Sequence, residues 1–97
     1  MVAERVSKAR AAATKRWAAA GWETNSVVPG AALRGKWRLS AAATKAAEHA
    51  VSAGELSARG YDRILRLAWT LADLRGATAP SASDVNEALM LRLRRSV

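Results

Sequence analysis

With 97 residues, no cysteine and a formal net charge of +8, the chain excludes a disulfide scaffold and a cysteine-ligated metal site, and its size fits one domain (1–97) with a modest core. Its apolar residues are mostly Ala and Leu, with four Trp and no Phe, a mixture that favours helix over strand. No apolar run reaches the length of a membrane span and the N-terminus lacks the apolar stretch of a secretory signal, so a cytoplasmic chain without membrane contact is expected.

The spacing predicts a first helix over about Ala3 to Ala20. Val6, Ala9, Ala13, Trp17 and Ala20 recur at intervals of three and four and so share one face. Arg5, Lys8, Lys15 and Arg16 fall mainly off it. Gly21 is a C-terminal stop. Trp22 to Val28 reads as a loop, with Thr24, Asn25 and Ser26 as turn residues. Pro29 then opens a short helix over Gly30 to Arg34, and Trp37 and Leu39 pin that segment to the core.

Ser40 is a good N-cap for an Ala-rich helix, Ala41 to about Ala53, ended by Gly54. Ser57 caps the next, Ala58 to about Leu74, which carries the strongest amphipathic pattern. Tyr61, Ile64, Leu65, Ala68, Leu71 and Ala72 form its buried stripe. Arg59, Asp62, Arg63, Arg66, Thr70 and Asp73 form the opposite, polar face, with Asp62 and Arg66 as an i,i+4 pair. After Gly76 and a connector through Pro80, Ser81 or Ser83 caps a last helix to about Arg94, with Val85, Ala88, Leu89 and Leu93 inward. Asp84 and Glu87 sit near its start and Arg92, Arg94 and Arg95 near its end, as the helix dipole favours. The expected fold is therefore all-α, a small bundle of about five helices centred on the fourth.

Catalytic signals are sparse. There is a single histidine, His49, with no acidic set around it, so a surface or structural role is expected rather than metal binding. No paired-carboxylate arrangement and no GxxxxGK[ST] phosphate loop occur, so the chain alone is expected neither to bind ATP tightly nor to hydrolyse it. A basic balance this large calls for phosphate or an acidic protein face, or else reflects a solvated surface whose acidic partner lies elsewhere. Arg59 falls in the first turn of a capped helix, where the positive dipole end and a guanidinium face the same region. That place suits an anionic oxygen, which Arg meets with a two-pronged fork; an ordinary solvated Arg has the same local sequence. Trp17, Trp37 and Trp69 fit core or anchoring positions, and Trp22 is the one expected to be most exposed.

The run LSARGYDRILRLAWTLADLRG, the helix start at Pro80-Ser81, and Asp84-Val85-Asn86-Glu87-Ala88-Leu89 resemble the C-terminal domain of magnesium-chelatase-type AAA+ proteins, nearest their ComM-like branch of bacterial competence-associated ATPases. Arg5-Val6, Ala9-Arg10 and Arg16 are similar to that family's first lid helix, and Gly30 to Leu39 to its short middle segment. The resemblance implies the helical lid of an AAA+ module. It implies that the phosphate loop, the Mg²⁺-binding acidic motif and the arginine finger lie in a separate core domain, so that ATP and Mg²⁺ are held there. At the position matching the sensor 2 motif stands Arg59, with Arg63 and Arg66 extending the basic surface toward nucleotide or a neighbouring subunit of a ring. Trp69 stands where many relatives have a basic residue, and Ala13 where Gln is frequent; Trp69 is expected to pack against another domain. The implied parent is an ATPase that remodels DNA or drives Mg²⁺ insertion into a porphyrin. The alternative is a free-standing basic module that binds nucleic acid, although no helix start carries an exposed Asn, Gln and Arg set for reading bases.

Overall fold

The computed structural model describes residues 2–95. Five α-helices follow in order: α1 (Val2–Trp17), α2 (Gly30–Arg34), α3 (Ala41–Ser52), α4 (Ala58–Leu74) and α5 (Ala82–Arg95). No strand occurs among the described residues, so the fold is the small all-α bundle that the composition predicts. The side chains of Leu93, Arg94 and Arg95, expected at the end of the last helix, lie outside what the structure describes.

Helix ends follow local chemistry. The Ser40 and Ser57 hydroxyls accept the backbone N–H groups of Ala43 and Gly60, at 3.2 and 3.0 Å, meeting donors that the helix itself leaves unpaired. At α5 the cap works in the other direction: Asp84 Oδ2 accepts the Ser81 N–H at 2.9 Å, which places Ser81, rather than Ser83, at the start. Gly21, Gly54 and Gly76 all adopt left-handed φ near 80° (82°, 78° and 77°). Each closes a paired return, as where Gly21 donates to the Ala18 carbonyl and Trp22 to that of Trp17. A side chain at this φ is disfavoured, so glycine marks these stops.

α4 is the hub, touching each of the other four helices. One core joins it to α3 and α5 through Ala43, Ala47, Ala50, Leu56, Ile64, Ala68, Val85 and Ala88. The small side chains of α3 let it lie close to its neighbours. A second core joins α4 to α1 and α2 through Ala13, Trp17, Val28, Leu33, Leu65 and Trp69, with Trp22 and Trp37 packed alongside. Leu39 and Tyr61 touch both. The Trp17 ring, fully buried, meets Trp37, Trp69 and Trp22 edge to face at 4.6, 5.5 and 5.9 Å, a geometry that aromatic quadrupoles favour.

Several expectations are corrected here. α1 turns into a 3-10 segment at Ala18–Ala20, so Ala20 is exposed instead of completing the apolar face. Val6, at the other end of that face, stays 36% exposed. The loop after Gly21 contains a further 3-10 turn, Asn25–Val27, in which Asn25 is buried. Trp22, expected to be the most exposed tryptophan, is half-buried like Trp37 and packs on Trp17. Trp69 is 4% exposed and faces the interior of this bundle, as its core spacing suggested, and not another domain. Asp73 is 5% exposed instead of belonging to a solvated face, because α1 and the 3-10 turn cover that flank of α4.

Candidate functional site

The Ser57 cap fixes the first turn of α4, and Ile64 and Leu65, at 1% and 2% exposure, fix its rotation. Gly60 completes the placement. It is buried, and a Cβ added there would lie 2.8 Å from Leu56 Cδ1, so a larger residue would have to push the Leu56 side chain aside.

This geometry leaves Arg59 in the first turn on the exposed side, with no hydrogen bond or ion pair to any described residue. Arg63, one turn on, is also exposed and unpartnered among the described residues. Two cations at i,i+4 with no anion between them repel weakly in the domain by itself. The acid nearest in sequence, Asp62, is turned away: its Oδ1 accepts Arg34 Nε at 2.9 Å. Gly30 makes room for this pair, since a Cβ there would run into the Asp62 carboxylate.

Arg66 behaves differently from Arg59 and Arg63. It is half-buried and its Nε donates to the Val28 carbonyl at 2.9 Å, so the expected Asp62–Arg66 pair does not form. The Asp62 carboxylate, its side chain 16% exposed, is already taken by Arg34, and leaving the Val28 carbonyl unmet under cover would cost more than a second contact to that carboxylate gains. Arg66 thereby ties the 25–28 segment to α4.

Beside α2 and α3, the first turns of α4 border a cleft of about 930 Å³ whose walls include Leu33, Arg38, Thr44, Glu48 and Tyr61. Arg59 lies outside this lining. Burial raises the Tyr61 hydroxyl above its ordinary pKa, with Thr44 opposing and Glu48 and Asp62 adding to the rise. His49 is exposed, and no group of three metal-ligating side chains occurs among the described residues. No described helix is long and apolar enough to cross a membrane.

Sequence reasoning missed a buried polar side chain that joins four others. Asn25 Oδ1 accepts Trp17 Nε1 at 2.8 Å and Arg16 Nη1 at 3.3 Å, while its Nδ2 donates to Asp73 Oδ2 at 3.0 Å and Thr70 Oγ1 at 3.1 Å. Arg16 also pairs directly with Asp73 and lies over the Trp69 ring, its Cζ 4.4 Å from the centroid. The one available signal was an Asn between two apolar anchors, Trp22 and Val28, in a segment that read as a plain turn.

Residues 1–92 match the family described as magnesium chelatase, subunit ChlI C-terminal. The chain belongs to that family. Similar chains are the uncharacterized protein Mb2921c of Mycobacterium bovis and the uncharacterized proteins MT2965 and Rv2897c of Mycobacterium tuberculosis, each 48% identical over 91 residues. The match covers 94% of this chain and 18% of each relative, so the magnesium chelatase C-terminal domain is a small part of those proteins. No solved structure matches the chain.

Proposed function

We propose that this domain is the helical lid of a magnesium-chelatase-like AAA+ ATPase and that Arg59 is its sensor 2 arginine. The observation that carries the reading is an exposed guanidinium with no partner among the described residues, held in the first turn of a Ser57-capped helix. A free fork beside a positive helix end fits the γ-phosphate of ATP. ATP would supply the γ-phosphoryl group that passes to water with ADP leaving, and Mg²⁺ would sit with the phosphate loop on the core domain. Arg63 adds positive charge one turn further along, and Arg66 serves by fixing the 25–28 segment.

In this reading Arg59 contacts the nucleotide before hydrolysis and loses that contact afterwards. α4 touches every other helix, so a change at its first turn moves the bundle as a body relative to its core domain or to a neighbouring subunit. The net charge of +8 supports DNA as the substrate on which that motion acts. Neither the ring nor Mg²⁺ insertion has comparable support in this chain's own residues.

The test is steady-state hydrolysis by the full protein carrying this domain. Arg59→Ala should lower the rate by one to several orders of magnitude, the loss of about 2–4 kcal/mol typical of a preorganised donor to a transition state. Arg59→Lys should recover little, because it keeps the charge and loses the fork. The melting temperature of the domain should hardly change, since an exposed Arg without a partner contributes little to stability. Wild-type hydrolysis in Arg59→Ala would refute the assignment; a large loss of stability would make Arg59 a structural residue.

A further inference from the structure

α1 buries one face, Ala9, Ala13 and Trp17, against α4. Its outward side is exposed and carries Lys8 and Lys15 opposite the buried face and Arg5 on the flank, none of which pairs with a described residue. At the helical repeat these three fall within roughly 80° of arc and span about 15 Å along the axis. Ala12, within that arc, and Ala11, just beyond its edge, are both exposed. Glu4 is the single acid on α1; it sits at the edge of the arc and is already engaged. The result is a basic face with Arg5 and Lys8 one turn apart, Lys15 two turns further on, and only small side chains between to keep a polyanion off the helix.

We infer that this outward face of α1 binds the phosphate backbone of duplex DNA, without regard to sequence. The inference rests on the proposal that the protein works on DNA, and names the surface of this domain that would touch it. Charge is complementary: duplex DNA carries one negative charge about every 1.7 Å of axis, so a 15 Å stripe faces several phosphates at once. The face holds no Asn, Gln or aromatic side chain to read base edges. Stacking on unpaired bases is not served either, because Trp17 and Trp69 are buried and Trp22 and Trp37 are packed against them. Contacts to phosphate alone remain, which gives weak and strongly salt-dependent binding.

The 97-residue chain can be titrated against a short fluorescein-labelled duplex at several salt concentrations, with anisotropy as the readout. The triple variant Arg5→Ala, Lys8→Ala, Lys15→Ala should lower the slope of log K against log salt by about 3, near one for each cation removed, and weaken binding at low salt on the order of tenfold or more. A control that removes equal charge elsewhere, Lys36→Ala, Arg38→Ala, Lys45→Ala, should change binding much less. Alanine at exposed helical sites raises helix propensity, so the triple variant should fold; circular dichroism checks this, and Lys8→Glu alone offers a second, milder perturbation with the same expected sign. Equal losses in the test and control variants would overturn the proposal in favour of diffuse attraction. Absence of duplex binding by the wild-type chain at low salt would also overturn it. Polyglutamate competing as well as duplex would point to an acidic protein face instead, and tighter binding of a single strand would rule out the duplex. Arg59→Ala should leave this binding intact, so failure here and failure of the nucleotide reading are separate results.

Discussion

Replacing Asp73 by Ala should be among the most damaging changes to this domain. The Asp73 side chain is 1% exposed and pairs with Arg16, itself 12% exposed. Removing it strands the Arg16 guanidinium against the Trp69 ring and frees one donor of the Asn25 amide, both under cover. Breaking a buried pair from one side costs about 3–5 kcal/mol, because the remaining charge keeps its desolvation penalty. Arg16 retains slight access to water and its bond to Asn25, so about 3 kcal/mol is the better figure. A domain of this size has about 5–15 kcal/mol in total, and about 3 kcal/mol corresponds to a fall in Tm of roughly 12–24 °C. The assay is thermal and urea unfolding followed by circular dichroism, with Asp62→Ala as comparison. That change breaks the Arg34 pair, whose Arg is 55% exposed, and should cost about 0–1 kcal/mol. The double variant Arg16→Met, Asp73→Leu should recover part of the loss, since no charge is left buried. A cost below about 1 kcal/mol for Asp73→Ala would refute the reasoning; it would mean that water or a repositioned Arg16 satisfies the site.

Leu65→Ala removes a side chain that is 2% exposed in the core between α4, α1 and α2. It should cost about 2–5 kcal/mol by equilibrium unfolding, and a loss within about 0.5 kcal/mol, the usual range of surface substitutions, would contradict the packing described. Asp84 is held below its ordinary pKa, first by its hydrogen bond from Arg75 and then by the Ser81 N–H, against an opposing effect of burial. A lowered folded pKa means stability that is present above the unfolded value of 3.8 and lost as pH falls through the folded one. The difference in Tm between wild type and Asp84→Asn should therefore be constant at neutral pH and shrink below about pH 4; a difference that stays constant into acid would show that the carboxylate charge is irrelevant.

Much of the fold is legible in local chemistry. Ser40 and Ser57 followed by apolar periodicity, and Gly21, Gly54 and Gly76 just beyond it, set the helix limits within a few residues. These signals act over one or two turns and need no tertiary partner. The stripe from Tyr61 to Ala72 likewise identifies α4 as the element with most surface to bury. Arg59 was legible as a candidate for the same reason: its position depends only on the cap before it and the stripe behind it.

What the chain alone could not decide is which polar residues face inward. Periodicity describes a helix with one buried side, whereas α4 is covered on two flanks, by α3 and α5 on one and by α1 with the 25–28 segment on the other. Asp73 and Arg66 therefore lie under protein although they fall on the polar side of the pattern, and each took its partner from far along the sequence: Arg16 for Asp73, the Val28 carbonyl for Arg66. Trp69 entered the same second core. Sequence determined the helices, their caps and the exposure of Arg59, because those follow from neighbours within a turn or two. Tertiary structure decided the partners of Asp73, Arg66 and Asp62, because a buried charge or carbonyl takes whichever complementary group the crossing segment brings within reach, and that crossing is a property of the assembled bundle.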